Sequence, residues 1–146
     1  LKTLAESGNA DAQVKLGFMY GNGDGAPEDF AEAMKWFRLA ADQGDATAQR
    51  AIGWGYENGL GVPEDYAEAM KWYRLAADQG DEDAQFYLGS MYYYGYGVPE
   101  DDAEAAKWYR LAADQGKIEA QTDLGRMYAD GRGVPKDDAE AMKWFR

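Results

Sequence analysis

The sequence predicts an all-α fold, a right-handed α–α superhelix or solenoid of about four 36-residue helix-turn-helix repeats, and three observations carry that prediction. The first is periodicity. Trp36, Trp72, Trp108 and Trp144 stand 36 residues apart, as do Pro27, Pro63, Pro99 and Pro135. Gln13, Gln49, Gln85 and Gln121 share that register with Gly17, Gly53, Gly89 and Gly125, and with Tyr20, Tyr56, Tyr92 and Tyr128. Five residue types in one register over four units is not composition bias, and a period of this length signals a stacked repeat architecture. The second observation is that apolar residues recur at helical spacing twice in each unit. The third is that no strand-like alternation occurs anywhere in the chain.

The first helix of a unit is expected roughly from Ala10 to Gly21. Its shared positions Ala12, Leu16, Met19, Tyr20 and Gly23 form the stripe of an amphipathic helix. Gly17 lies within that stripe, where glycine costs about 1 kcal/mol relative to alanine. Its return in every unit predicts a close approach that leaves no room for a Cβ. The helix should stop at the G-x-G-V-P string of Gly59 to Pro63 and its counterparts, because glycine supplies the left-handed cap and proline bars continuation.

The second helix should begin at Asp29, Asp65, Asp101 and Asp137, each three residues before a glutamate (Glu32, Glu68, Glu104, Glu140) in capping-box spacing. Ala33, Trp36, Phe37, Ala40 and Ala41 form its buried stripe, and the four repeated tryptophans are read as core. Glu32–Lys35 and Arg38–Asp42 are spaced for surface ion pairs. Gly44 ends the helix. The repeats are expected at about 9–44, 45–80, 81–116 and 117–146, with residues 1–8 as the tail of a preceding second helix, all within a single domain over 1–146. A two-helix unit cannot hide its own apolar faces, so neighbours must stack.

Composition narrows the function. Hydrophobic residues make up 46% of the chain and aromatic residues 14%, ample for a core. Lys and Arg number 15 against 27 Asp and Glu, a formal charge of −12. Such a surface repels phosphate backbones and anionic lipid, so neither nucleic acid nor membrane is expected as a partner. It also favours solubility, while the compartment stays open between cytoplasm, periplasm and secretion. Cysteine and histidine are both absent. That removes thiolate metal sites, cysteine nucleophiles and the commonest neutral-pH base, and no cofactor is expected.

At this point a resemblance becomes specific. The strings Ala84-Gln85-x-x-Leu88-Gly89-x-Met91-Tyr92, Gly95-x-Gly97-Val98-Pro99 and Ala103-Glu104-Ala105-x-Lys107-Trp108-Tyr109-x-x-Ala112-Ala113 resemble the Sel1-like repeat. That family is related to the tetratricopeptide repeats and has slightly longer units. The resemblance covers essentially the whole chain and implies a scaffold or adaptor working through protein–protein contacts. Three positions depart from the pattern: Gly55 stands for Met, Ala26 for Val, and Lys117 for Asn or Asp at a helix start.

Comparing the units with one another locates a candidate binding face. Second helices are nearly invariant, whereas first helices vary at the positions of Asp11, Val14, Lys15, Phe18, Gly21 and Asn22, which share one face away from the buried stripe. In related superhelices this helix lines the concave surface, so the variable face is read as a peptide- or protein-binding groove. Its expected residues are Phe18, Arg50, Trp54, Glu57, Asp83, Phe86, Tyr87, Tyr93, Tyr94, Asp123 and Arg126, with Tyr96 adjoining. Aromatic residues beside charges are the composition of protein-binding patches.

Catalysis is not expected. Gly21-Asn22-Gly23-Asp24-Gly25 lacks the Lys-Ser/Thr end of a phosphate loop, and no calcium-loop spacing surrounds Asp24 or Asp130. Cysteine-rich relatives of the family are linked to β-lactam binding or hydrolysis, but this chain has neither their cysteines nor an S-x-x-K motif. The alternatives to a binding scaffold are a purely structural array, engineered or excised from a longer one, and more remotely a hydrolase. Leu1 and Lys2 occupy the register of Phe37 and Arg38, and Arg146 falls within a second helix. Uncapped ends of this kind predict head-to-tail self-association.

Overall fold

A computed structural model describes residues 1–146 as nine α-helices and no strands. They are α1 (Lys2–Glu6), α2 (Ala10–Asn22), α3 (Phe30–Asp42), α4 (Ala46–Asn58), α5 (Tyr66–Asp78), α6 (Glu82–Tyr94), α7 (Asp102–Asp114), α8 (Ile118–Asp130) and α9 (Asp138–Trp144). Helices α2, α4, α6 and α8 are the first helices of the repeats; α3, α5, α7 and α9 are the second. The chain forms two compact units, residues 1–76 and 77–146.

Local chemistry sets the helix ends where the sequence predicts them, with the first helix reaching Asn22 rather than stopping at Gly21. Gly23, Gly59, Gly95 and Gly131 close the first helices in the left-handed conformation. Asp29, Asp65, Asp101 and Asp137 each accept the backbone N–H of the glutamate three residues on, at 3.0–3.1 Å. Asn9, Asp45 and Asp81 cap α2, α4 and α6 in the same way at 2.9 Å. Each such cap stabilises its helix by about 1 kcal/mol. Glu32 and Lys35 form the expected exposed pair at 3.5 Å, and Arg110 and Asp114 show the second spacing at 3.8 Å.

In the first unit Ala33, Phe37, Ala40 and Ala41 of α3 pack with Ala48 and Ile52 of α4, while Ala12, Leu16 and Trp36 pack with Ala5 of α1. In the second unit Ala105, Ala106, Tyr109, Ala112 and Ala113 of α7 pack with Ala120, Leu124 and Met127 of α8. The recurrent helix glycine sits where an aromatic ring from the next helix lies. A Cβ on Gly17 would fall 2.5 Å from the Phe37 ring, one on Gly53 2.7 Å from Tyr73, and one on Gly89 2.8 Å from Tyr109. The partner that excludes a side chain is thus one ring of the same repeat.

Gly55, the departure from Met, is filled from the facing helix. Met34 places its Sδ 2.8 Å from where a Gly55 Cβ would stand. Two repeats later the sizes are exchanged, with Met127 in the core beside Ala106, the counterpart of Met34. Large meets small in both of these contacts, whereas the repeat between them carries Met70 and Met91 at the two positions.

The four tryptophans are not alike, which corrects their reading as uniformly core. Trp36 and Trp108 are buried, whereas Trp72 and Trp144 are half-buried beneath the guanidinium groups of Arg38 and Arg110, 5.0 and 5.3 Å from the ring centres. Arg38 and Arg110 also donate to the hydroxyls of Tyr56 and Tyr128. Each of these rings thus packs against the core on one side and is covered by an amphipathic arginine side chain on the other.

The repeated glutamine has a defined task. Gln13, Gln49, Gln85 and Gln121 donate from Nε2 to the carbonyls of Ala5, Ala41, Ala77 and Ala113, each in the last turn of the preceding helix, at 3.0–3.4 Å. Those are carbonyls a helix end leaves without a full set of partners. Gln43 and Gln115 then donate to the Oε1 of Gln13 and Gln85, at 2.9 and 2.8 Å, so both ends of those two buried amides are satisfied.

Candidate protein-binding face

The expected binding residues fall into two sets, one in each compact unit. In the first unit Phe18 and Trp54 are exposed at 37% and 46%, both on first helices, and Phe18 meets the Phe37 ring edge-on at 5.0 Å. Arg50 and Glu57 are half-buried on α4 with Trp54. Glu57 is tied down, since its carboxylate accepts the Tyr73 hydroxyl at 2.5 Å. A glutamate held in this way keeps one oxygen engaged and has limited freedom to reach a ligand.

The second unit gathers more of them. Phe86, Tyr87, Tyr93 and Tyr94 of α6 form a run of ring contacts with Tyr109 of α7: Phe86–Tyr87 at 5.9 Å, Phe86–Tyr109 at 5.7 Å, Tyr93–Tyr94 at 4.9 Å and Tyr93–Tyr109 at 6.3 Å. Tyr94 stacks on Tyr96 at 5.7 Å, and both are exposed. Phe86 and Tyr93 are half-buried and pack against the α7–α8 core, so they anchor this surface as well as contributing to it.

Asp123 and Arg126 of α8 complete the set. With Tyr93, Tyr94 and Tyr109 they line a cavity of about 30 Å³. Partial burial pushes the Asp123 carboxyl above the usual carboxylate range, while Arg126, 3.4 Å away, pulls it back. Burial likewise raises the Tyr109 phenol, whose oxygen lies 3.0 Å from Ser90 Oγ.

Several residues that shape this surface carry no local signal in the sequence. Arg132, in the loop after α8, lies 4.2 Å over the Tyr93 ring and donates to the Tyr93 hydroxyl at 2.6 Å. It also binds Asp102 through Nε and Nη2, both at 3.0 Å, a two-point grip that fixes the loop to the start of α7. Lys117 does not cap α8 through its side chain. It reaches Asp83 at 2.7 Å and Glu119 at 3.2 Å, and lies 5.7 Å from the Phe86 ring centre. The departure from Asn or Asp thus exchanges a helix cap for an ion pair that positions Asp83. Asp83, expected as a groove contact, already has that partner.

The geometry offers aromatic rings, carboxylates and guanidinium groups. Among the 146 residues no cluster of three or more carboxylates has metal-binding geometry. No helix is long and apolar enough to cross a membrane. Comparison with known families then decides the kind of protein. The Sel1 repeat family model matches residues 10–45, 46–81, 82–117 and 118–146. The chain belongs to the Sel1 repeat family.

Sel1 repeat proteins are all-helical solenoids that generally mediate protein–protein interactions and are generally scaffolds, not enzymes. Among solved Sel1 folds, the chain is similar to a protective antigen present in uropathogenic Escherichia coli strains, at TM-score 0.96 and 47% identity. That match covers 99% of this chain and 31% of the antigen. A Sel1 repeat protein from Oxalobacter formigenes aligns at TM-score 0.90 with 37% identity, over 95% of this chain and 57% of the other. A curated relative, the secretory immunoglobulin A-binding protein EsiB of uropathogenic Escherichia coli, is 50% identical over 40 residues. That stretch is 27% of this chain and 8% of EsiB, so the chain spans well under two thirds of the length of each of these relatives.

Proposed function

We propose that this Sel1 repeat chain is a non-catalytic scaffold that binds a protein or peptide through the variable face of its first helices. The observation that carries the reading is where variation falls. The glutamines, helix glycines and ring partners that build the fold repeat in every unit. The residues that change from unit to unit include Phe18, Trp54, Phe86, Tyr87, Tyr93 and Tyr94, on first helices with charges beside them. Trp, Tyr and Arg are the residue types that dominate binding energy at protein interfaces. The immunoglobulin-binding relative supports a protein as the ligand class.

Trp54→Ala and Tyr87→Ala test it. Each is expected to weaken capture of the partner by about 2 kcal/mol or more, roughly 30-fold, if the side chain is an anchor. Circular dichroism should stay unchanged for Trp54→Ala, because that ring is 46% exposed. Retained affinity in both variants would remove the face from consideration.

A further inference from the structure

The cavity lined by Tyr93, Tyr94, Tyr109, Asp123 and Arg126 has a chemistry more specific than a general binding face. Three phenol rings and a partly desolvated carboxylate surround it. Aromatic rings carry a negative charge density on their faces and the carboxylate a full negative charge, and both attract a cation. Asp123 has one cation close by, Arg126, but that contact is weak in form. It is a single 3.4 Å approach between neighbours on one helix, and the arginine side chain is 68% exposed. Pairs of this kind contribute little and exchange readily with water. Burial meanwhile holds the Asp123 carboxyl above its ordinary range, the mark of a carboxylate short of compensation.

Size then selects among cations. A cavity must offer about 10–15 Å³ to hold one water. At about 30 Å³ this one accommodates one or two groups of that size. A primary ammonium is such a group, with three donors that can divide between Asp123 and the Tyr109 oxygen. A guanidinium is a larger, rigid planar group. The chain's formal charge of −12 favours the approach of a basic segment from solution.

We propose that this cavity receives the ε-ammonium of a lysine from a basic segment of the partner protein, pairing with Asp123 against the rings of Tyr93 and Tyr94. Arg126 is then an occupant in waiting, displaced when the lysine enters. This rests on the protein-binding reading above for the source of the lysine, but the pocket chemistry is measurable without the partner.

The experiment is an NMR titration of the full chain, with the tyrosine rings labelled, against n-butylammonium, n-butylguanidinium and butyramide. n-Butylammonium is expected to shift the Tyr93, Tyr94 and Tyr109 signals saturably, n-butylguanidinium several-fold more weakly, and butyramide not at all. Asp123→Asn should weaken the ammonium about tenfold, as loss of a charged hydrogen bond does. Arg126→Ala should strengthen it about two- to fivefold by removing the competitor. A groove that used Arg126 to grip an acidic ligand would respond the other way. The same spectra with N-acetylated, C-amidated Gly-Lys-Gly, its Nε-acetyl-lysine form and a free-amine Gly-Gly-Gly amide separate the lysine side chain from a chain terminus. Absence of saturable shifts, binding indifferent to Asp123→Asn, weakening by Arg126→Ala, or equal affinity for the free-amine peptide would each overturn the proposal. Ammonium binding as expected, with partner capture untouched by Trp54→Ala and Tyr87→Ala, would fail the wider binding face and leave the pocket standing. Partner capture lost in those two variants, with no ammonium shift, would do the reverse.

Discussion

Replacing Tyr109 with alanine is expected to lower the unfolding free energy by about 3–5 kcal/mol, the range for removing a large buried aromatic. The ring is 1% exposed and touches Phe86 and Tyr93, while its hydroxyl bonds Ser90. It also fills the space opposite Gly89. Urea denaturation measures the loss, and a cost below about 1 kcal/mol would contradict the packing described. Tyr109→Phe separates ring from hydroxyl, and should cost only about 0.5–1.5 kcal/mol, the net worth of one hydrogen bond. Phenylalanine already occupies the equivalent positions 37 and 145. Coupling supplies a sharper check. Gly89→Ala is unfavourable beside the intact ring, because the new Cβ would meet it at 2.8 Å. In the Tyr109→Ala background the ring is gone and only the Ala105 carbonyl oxygen remains close, at 3.3 Å, so the same change should cost much less than beside the intact ring.

The second large effect is expected at Gly133. Alanine there should destabilise by roughly 3 kcal/mol or more, since two costs add. Its φ of +71° lies in the left-handed region, where a side chain alone costs about 1–2 kcal/mol. The added Cβ would also run into the backbone carbonyl of Asp102, which cannot rotate aside as a side chain would. Shifting the loop to relieve that contact would disturb the adjoining Arg132 grip on Asp102. Gly116 is the control, with φ of +97° and open space around it, so Gly116→Ala should show the left-handed cost alone. Equal losses at the two positions in thermal or urea unfolding would mean the loop does not press on α7.

Much of the fold was legible because its signals are local and repeated. A glycine inside an amphipathic stripe announces a close approach, an aspartate three residues before a glutamate announces a helix start, and both were in place at Gly17 and Asp29. Which atoms approach was not legible. Nothing near Gly17 in sequence names Phe37, twenty residues on, as the ring that displaces its Cβ. The candidate site was less legible still. Variation between units picked out Tyr93, Tyr94, Asp123 and Arg126, which do meet in one cavity, but Tyr109 was hidden among invariant core positions. Lys117 read as a defective cap, because its compensating partner Asp83 lies on the helix before last. Arg132 sat in a loop read only for its glycines. Each of these depends on residues brought together from distant sequence positions, which no helical spacing encodes.

The glutamine contacts bear on how such a chain changes length. An amide carries a donor and an acceptor on one flat group, so Gln13 and Gln85 each take a bond on one side and give one on the other. Gln13 and Gln85 do this with the same partners, displaced by two whole periods: a carbonyl eight residues back and a glutamine thirty residues ahead. The coupling between neighbours is therefore indifferent to its place in the series. Loss or gain of a whole period keeps that spacing, whereas any other increment would move the buried amide away from the carbonyl and the glutamine it bonds.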